Sequence, residues 1–299
     1  MRKRLNPSND SSFCAQRRGS AFLLVLVVLV LGAGLMAGVQ HHLAAEHLGL
    51  RGERAAVSLR GALLLGLQEG MRAWASDADA EVLHLGEVWA EPLAFLTDGG
   101  ARVAVRYRDA GGAFDLNSLL LPEEMFPMRG PSDVLLDLLR GYEVRVPDAA
   151  VQAFREAGEP LVSPEEFPAR FAEVRWTTDT ERGDPFAQLV ALPPPPSGMH
   201  RINLNTASPE VLDALTGGML GAWVDTVVQL RGQEPLRSTG PVLDRLPQEV
   251  AAVLSRVVDV KSDHLRVWVS AEFDHTVAEV EALLRRTENG DVEVLWCRW

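Results

Sequence analysis

An uninterrupted run of uncharged residues at positions 20–39 restricts what this chain can fold into. At 1.5 Å per residue, a helix of this length spans ~30 Å, which is the thickness of the hydrocarbon layer of a bilayer. The preceding residues 1–19 include five basic side chains and one acidic side chain. A basic flank keeps its end of a membrane helix in the cytoplasm. The sequence therefore predicts a single-pass membrane protein with the bulk of the chain on the side of the membrane opposite the cytoplasm.

Three interpretations fit this N-terminal segment: an uncleaved signal anchor, a cleaved secretory signal and a prepilin-type leader. A secretory signal has a shorter apolar region with a small-x-small cleavage site behind it. Here Arg17-Arg18-Gly19-Ser20 stands directly before the apolar run, an arrangement that resembles the class III leader of type IV pilins and pseudopilins. The resemblance implies that a prepilin peptidase cuts between Gly19 and Ser20, on the cytoplasmic side, and leaves the apolar helix on the mature protein.

The chain departs from most pilins at one position. Most pilins carry glutamate at the fifth mature residue, and counting from Ser20 the fifth residue here is Leu24. The resemblance implies that the missing glutamate would have paired with the amino terminus of the subunit ahead. An unpaired charge in hydrocarbon costs several kcal/mol, so a subunit without this carboxylate is best tolerated at the tip of a filament.

Beyond the membrane span, the pattern predicts an α+β body. Proline is absent from Gln40 to Trp74, and an apolar stripe with helical spacing (Leu59, Leu63, Leu67, Met71 and Trp74) continues the helix. Residues 101–109 alternate strictly, and residues 265–273 and 291–299 are strand-like. The spacing in 276–287 leaves both helix and strand open, and the Asn289-Gly290 turn that follows favours strand. These segments predict one antiparallel sheet.

Residues 118–260 are predicted to be mostly helical, with helices at 134–142, 148–158 and 163–174 and a stiff proline-rich spacer at 193–198. In the motif INLNTASPEVL (202–212), either Thr206 or Ser208 can cap a helix that opens near Pro209.

The motif at 202–212 also resembles the start of a helix-hairpin-helix DNA-binding module. The stretch 216–221 has glycines but lacks the hairpin spacing, and residues 202–256 contain four arginines against six acids. The whole chain has a formal charge of −12. An acidic surface repels nucleic acid, so we expect no nucleic-acid partner. The alternative function is a membrane-anchored DNA-binding protein of a competence or type IV pilus-like system.

Three features in this order resemble the K-type minor pseudopilins of the type II secretion system (general secretion pathway protein K). They are the RRG leader with no glutamate at Leu24, the stretch DAGGAFDLNSLL (109–120) with Asp115 at the first asparagine of the family signature, and INLNTASPEVLDAL with a C-terminal SDHLRVWVSAEF and CRW. The resemblance implies a pilin-like fold with an inserted, mostly helical domain that contains a helix-hairpin-helix or SAM-like segment. It implies a structural subunit at the pseudopilus tip, partnered by other minor pseudopilins, the major pseudopilin, the prepilin peptidase and the membrane. It also implies a single-pass protein of the inner membrane with the bulk of the chain in the periplasm.

These observations give the following predicted organisation. The segments are a leader (1–19), a transmembrane helix (20–39), its periplasmic continuation (40–76), the first part of the sheet (77–117), the inserted helical domain (118–200), the helix-hairpin-helix-like segment (201–260) and the C-terminal strands (261–299).

Candidate chemistry is sparse. No nucleophile elbow, phosphate-binding loop or Cys/His metal spacing occurs in the sequence, so we expect no enzyme activity and no cofactor. Members of the resembled family often carry an acidic calcium loop. The nearest equivalent here is Asp179, Glu181 and Asp184, for which a solvated turn is the expected structure. His264 and His275 are expected to be structural or surface residues. Cys297 is expected to be buried and unpaired.

Overall fold

The computed structural model describes residues 11–76, 82–123, 126, 129–140, 144, 146–170, 185–194 and 199–299, with side chains from residue 22 onward. The chain divides into two compact units, residues 1–58 and residues 59–299. The described α-helices are α1 (Ser11–Ala75), α2 (Pro131–Leu139), α3 (Asp148–Ala157), α4 (Glu166–Arg170), α5 (Pro209–Thr216), α6 (Gly221–Gln233), α7 (Gly240–Leu243) and α8 (Gln248–Leu254). Short 3-10 helices occupy Val88–Ala90, Leu116–Leu120 and Pro185–Gln188.

One antiparallel sheet of five strands organises the second unit, in the order β1-β2-β7-β8-β9. Its strands are β1 (Leu93–Leu96), β2 (Arg102–Asp109), β7 (His264–Phe273), β8 (Thr276–Arg286) and β9 (Val292–Arg298). The strands predicted near 101–109, 265–273 and 291–299 are confirmed, as is the choice of strand for 276–287. The strand β1 was not predicted.

The C-terminal part of α1 packs on one face of this sheet. The predicted apolar stripe is confirmed: Leu59, Leu63, Leu67 and Trp74 are buried in one cluster with inward-facing residues of β2, β7 and β8. Gly66 allows the close approach, because a Cβ at this position would lie 2.4 Å from Val269 Cγ1 and 2.8 Å from Val103 Cγ1. The end of the helix is fixed by Arg286, which donates to the Trp74 carbonyl at 2.5 Å and lies over the indole ring. A long N-terminal helix on an antiparallel sheet confirms the predicted fold class.

The helical insert separates β2 from β7, although these two strands are neighbours in the sheet. A single hydrophobic cluster runs through it from Phe114 to Val260. The segments predicted at 118–200 and 201–260 therefore contribute to one core. Two short parallel pairs close this region: β3 (Phe114–Asp115) with β4 (Leu189–Val190), and β5 (Ile202–Asn203) with β6 (Val258–Asp259).

The predicted helices of the insert are found at α2, α3 and α4, while residues 171–174 lie outside the described part of the chain. Of the two candidate caps for α5, Ser208 is the one used, since its hydroxyl accepts from the Val211 amide at 3.2 Å. Proline at the first turn then starts the helix without an unsatisfied donor.

The prediction that Cys297 is unpaired is confirmed, but the prediction that it is buried was wrong, because this free cysteine is exposed. The strand β9 is an edge strand that pairs only with β8. It also carries a bulge, since Leu283 pairs with Trp296 while Leu284 pairs with Val294. The extra residue lets Leu295 and Trp296 both pack on a small cluster that includes Leu283. Cys297 then follows at the uncovered end of the strand.

Candidate functional site

The first candidate region is the apolar half of α1. Within residues 22–39 every side chain is exposed, with Phe22 at 70% and Leu24 at 67% of the full side-chain area. The helix has one window apolar enough to cross a membrane, and that window has no cover from the described protein. The residues of the expected cleavage junction, Gly19 and Ser20, lie within α1, and their side chains are outside the description. A bare apolar helix of this kind needs lipid or other helices around it.

The second region lies where the insert leaves the sheet. Asp109, at the end of β2, is buried and accepts hydrogen bonds from the Gly111 amide at 2.9 Å, the Asn203 amide group at 2.8 Å and the Thr206 hydroxyl at 2.5 Å. Asn203 also donates to the Leu83 carbonyl at 2.9 Å. Burial raises the pKa of Asp109, and its hydrogen bonds oppose that rise. This network joins the sheet, the segment before β1 and the motif at 202–212.

The third region explains the stretch 109–120. Asp115 caps the 3-10 helix at Leu116–Leu120 and accepts from the Asn117 and Leu192 amides, both at 3.0 Å. Burial is the main cause that raises the pKa of Asp115 to about 7. Asn117 donates to the carbonyls of Leu161 and Leu192 at 2.9 and 2.8 Å, and accepts from the Leu161 amide at 2.7 Å. These side chains replace backbone pairing where three loops meet, so the motif has an architectural role.

The asparagines of the second motif act in the same way. Asn205 donates to the Leu236 carbonyl at 3.0 Å and accepts from the Leu236 amide at 2.9 Å, which holds the loop after α6. Arg231 on α6 donates to the carbonyls of Leu204 and Ala207 at 2.7 and 2.5 Å. The N-x-N-T-A pattern therefore holds α6 and the loop after it against its own backbone.

An ion-pair network fixes the insert against the other face of the sheet. Arg266 on β7 is buried, pairs with Glu281 on β8 and donates to the Leu189 carbonyl at 3.2 Å. Arg298 on β9 lies 2.5 Å from a Glu281 oxygen and 3.0 Å from a Glu165 oxygen. Removing one partner from such a network leaves an uncompensated buried charge, which is strongly destabilising.

The hairpin-like turn between α5 and α6 contacts the Arg129 side chain. Gly217 and Gly218 both have positive φ, 62° and 71°, as a tight turn requires. A Cβ on Gly217 would lie 2.7 Å from Arg129 Cδ, so the Arg129 side chain already covers this turn. Arg129 is itself paired with Asp137.

The residues of the acidic stretch, Asp179, Glu181 and Asp184, lie outside the described residues. The three carboxylates therefore remain an untested calcium candidate. Sequence reasoning also missed a cluster at His200, Asp263 and His264, because 63 residues of chain separate the two histidines and no local spacing signals their approach.

Comparison with protein families gives a match to the family described as "Type II secretion system (T2SS), protein K" over residues 202–261, the part of the insert that contains α5 to α8. A type II secretion system protein K of Pseudomonas aeruginosa is 32% identical over 119 residues, covering 36% of this chain and 34% of that protein. The protein K of Aeromonas hydrophila is 23% identical over 330 aligned positions, covering 94% of this chain and 97% of that protein.

A solved structure shares the fold. It is the crystal structure of the GspK-GspI-GspJ complex from the type 2 secretion system of enterotoxigenic Escherichia coli. The matched chain superposes with a TM-score of 0.56 at 18% identity, and the match covers 85% of this chain and 98% of that chain. The similarity of fold therefore extends over most of this chain.

Proposed function

We infer that this chain belongs to the protein K family of the type II secretion system, and we propose that it acts as a minor pseudopilin at the tip of the periplasmic pseudopilus. The observation that carries the proposal is the combination of a bare apolar N-terminal helix with a helix-on-sheet body and a large insert. The similarity to the Aeromonas hydrophila protein extends over almost the whole of both chains. The subunit would help initiate pseudopilus assembly and so support protein export.

Maturation is proposed to occur between Gly19 and Ser20. Glycine at this junction lets the backbone extend into a protease site without a side-chain clash. Mass spectrometry of the mature protein should find Ser20 at the amino terminus. Gly19→Ala should slow cleavage by a prepilin peptidase and Gly19→Leu should block it. Retention of Met1 in the functional form would refute this processing.

The apolar half of α1 is proposed to anchor the chain in the inner membrane before assembly and to pack on partner helices afterwards. Both environments cover the exposed side chains of residues 22–39. A protease-protection assay on spheroplasts should place residues 59–299 on the periplasmic side. Digestion from the cytoplasmic side would contradict the orientation.

The partners are proposed to be other minor pseudopilins, then the major pseudopilin. The matched solved chain comes from a complex with GspI and GspJ. These are partners of that protein, and they support the proposal that this chain has partners of the same kind. Co-purification of the processed chain with tagged minor pseudopilins of the same genome tests the point. A control with Arg129→Ala, which alters the α5–α6 turn, should leave co-purification intact if the helix α1 carries assembly.

Two features support the tip position. Leu24 offers no carboxylate to the amine of a subunit ahead, and the insert adds bulk to the head that would obstruct stacking above it. Leu24→Glu should leave membrane insertion nearly intact and disturb assembly, while Leu23→Ala at the neighbouring exposed position should not. Immunogold labels along the entire shaft of overproduced filaments would rule out the tip position.

The role proposed is structural, without enzyme activity and without nucleic acid as a partner. The acidic composition of the chain opposes DNA binding. A salt-dependent shift of duplex DNA by the purified chain would reverse this ranking. Calcium titration of the wild type against Asp179→Asn tests the acidic stretch separately.

A further inference from the structure

A groove crosses the outer face of the sheet, which is the face opposite α1, beside the insert. Its floor is a row of cross-strand neighbours on four adjacent strands: Arg106 (β2), Trp268 (β7), Glu281 (β8) and Arg298 (β9). Residues of the insert next to α4 and in the 3-10 helix before β4 form a wall. The enclosed space is about 440 Å³, which lies within the ~300–1,000 Å³ range of ligand-binding clefts.

The groove has the length of a short extended peptide. Neighbouring strands lie ~4.8 Å apart, so the three steps from β2 to β9 give about 14 Å, the length of about four residues in extended conformation. Arg106 and Arg298, at the two ends of the row, are both exposed. A chain can therefore enter at one end and leave at the other, whereas a single small ion would fill only part of the space.

The charged side chains are paired at one end of the groove and open to a ligand at the other. Glu281 is buried and pairs with both Arg266 and Arg298. Arg298 also lies 3.0 Å from a Glu165 oxygen. Arg106, at the opposite end, has no ion pair or hydrogen bond from its side chain among the residues that the structure describes. Its guanidinium group is therefore available to an anionic ligand.

The chemistry of the lining favours a carboxylate attached to an apolar stem. Four arginines and two glutamates line the groove, in a chain with a formal charge of −12. A guanidinium group binds a carboxylate through two parallel N–H bonds. Trp268 is half-buried directly beside Arg106 in the row, and its indole ring offers an apolar surface to the methylene groups of an acidic side chain.

We propose that this groove binds an extended acidic segment of a partner protein, with one glutamate or aspartate carboxylate on Arg106 and its stem against Trp268. Peptide length and carboxylate chemistry together match the dimensions and the open cation of the groove. The groove lies on the face of the sheet opposite α1, so binding there does not compete with the packing of α1 on other helices. The site therefore adds a second contact surface to the assembly role proposed above.

The test is binding of a fluorescently labelled peptide of six glutamates to the processed chain, which lacks the basic residues of the leader, in non-ionic detergent. Like charges keep such a peptide extended. Fluorescence anisotropy at low ionic strength should show saturable binding of this peptide and none of a labelled peptide of six glutamines. Arg106→Gln should weaken binding about fivefold, the upper end for an exposed arginine–carboxylate pair, and Arg106→Glu should weaken it further. Both variants should keep the wild-type melting temperature, because Arg106 has no described partner to lose.

Arg102→Gln is the matched control. It removes the same charge from the same face of β2, four residues or about 13 Å from Arg106 and outside the groove, and should leave binding unchanged. The proposal is overturned if Arg106→Gln binds the glutamate peptide as tightly as the wild type does, or if Arg102→Gln weakens binding equally. Equal binding of the glutamine peptide would also overturn it. Displacement of the peptide by inorganic phosphate at the same concentration would assign the groove to a small anion instead.

Discussion

Replacing Asp115 by asparagine should stabilise the protein above neutral pH. The carboxyl group of Asp115 accepts two backbone N–H bonds at Oδ1, and an asparagine side-chain oxygen can accept both. The substitution removes only the charge and adds an amide nitrogen at the position of Oδ2. The same change restores the asparagine of the family signature that the sequence stretch 109–120 resembles.

The magnitude follows from the raised pKa of Asp115. Its value in the folded state is about 7, against the ordinary value of 3.8. The folded state therefore holds this proton more tightly than the unfolded state does. The free energy of unfolding is at its full value below pH 3.8, falls as the pH rises towards 7, and stays low above that. At about 1.4 kcal/mol per pH unit the loss is roughly 4 kcal/mol. A buried asparagine amide group without a hydrogen-bond partner costs about 1–3 kcal/mol. Asp115→Asn should therefore raise the free energy of unfolding by about 1–3 kcal/mol at pH 8.

The assay is urea unfolding of the processed chain, followed by tryptophan fluorescence at about pH 5 and about pH 8. Asp274→Asn, in the tight β7–β8 turn where φ is +47°, is the matched control and should have little effect at either pH. The reasoning fails if Asp115→Asn destabilises the protein by the same amount at both pH values, because the carboxylate would then be ionised and favourable in the folded state.

Three further outcomes are expected. Gly66→Ala should lower the free energy of unfolding by about 1–3 kcal/mol through its clash with the sheet, whereas Gly61→Ala, with no described atom within 4 Å, should raise it by up to about 1 kcal/mol; chemical denaturation compares the two. Asn117→Ala should cost roughly 3 kcal/mol, because it strands buried amide and carbonyl groups of two loops, and a melting temperature within a degree of wild type would contradict the bonding described. Cys297 should react fully with a thiol reagent in the native processed chain. Reaction of the thiol only after unfolding would show that the end of the strand is covered.

The local pattern of apolar residues was sufficient to predict the elements that have one apolar face. Strict alternation identified β2, because one side of that strand packs on α1 and the other faces outward. The pattern of β8 was ambiguous for a physical reason. Residues from Val280 to Leu284 are all buried, since α1 covers one face of the sheet and the insert with its ion pairs covers the other. Burial on both faces removes the period of two, and only the following Asn-Gly turn indicated a strand.

Long-range placement could not be predicted from the sequence alone. The parallel pairs β3–β4 and β5–β6 have two residues in each strand, too few to form a pattern. The approach of His200 to His264 depends on the packing of the whole insert. Cys297 was wrongly predicted to be buried, because alternation predicts the face of the sheet on which a residue lies. It does not predict where an edge strand extends beyond the residues that pack on it.

The insert departs from the sheet and returns to it at one point. Asp109 is paired with Leu265, and the Ala110 amide donates to the His264 carbonyl at 3.1 Å, so residues 110–263 occupy the place of an ordinary hairpin loop. The entropy of closing a loop rises only with the logarithm of its length. Insertions and deletions between these two ends can therefore accumulate over evolution without disturbing strand register. The size of the insert can therefore change while α1 and the sheet keep their packing.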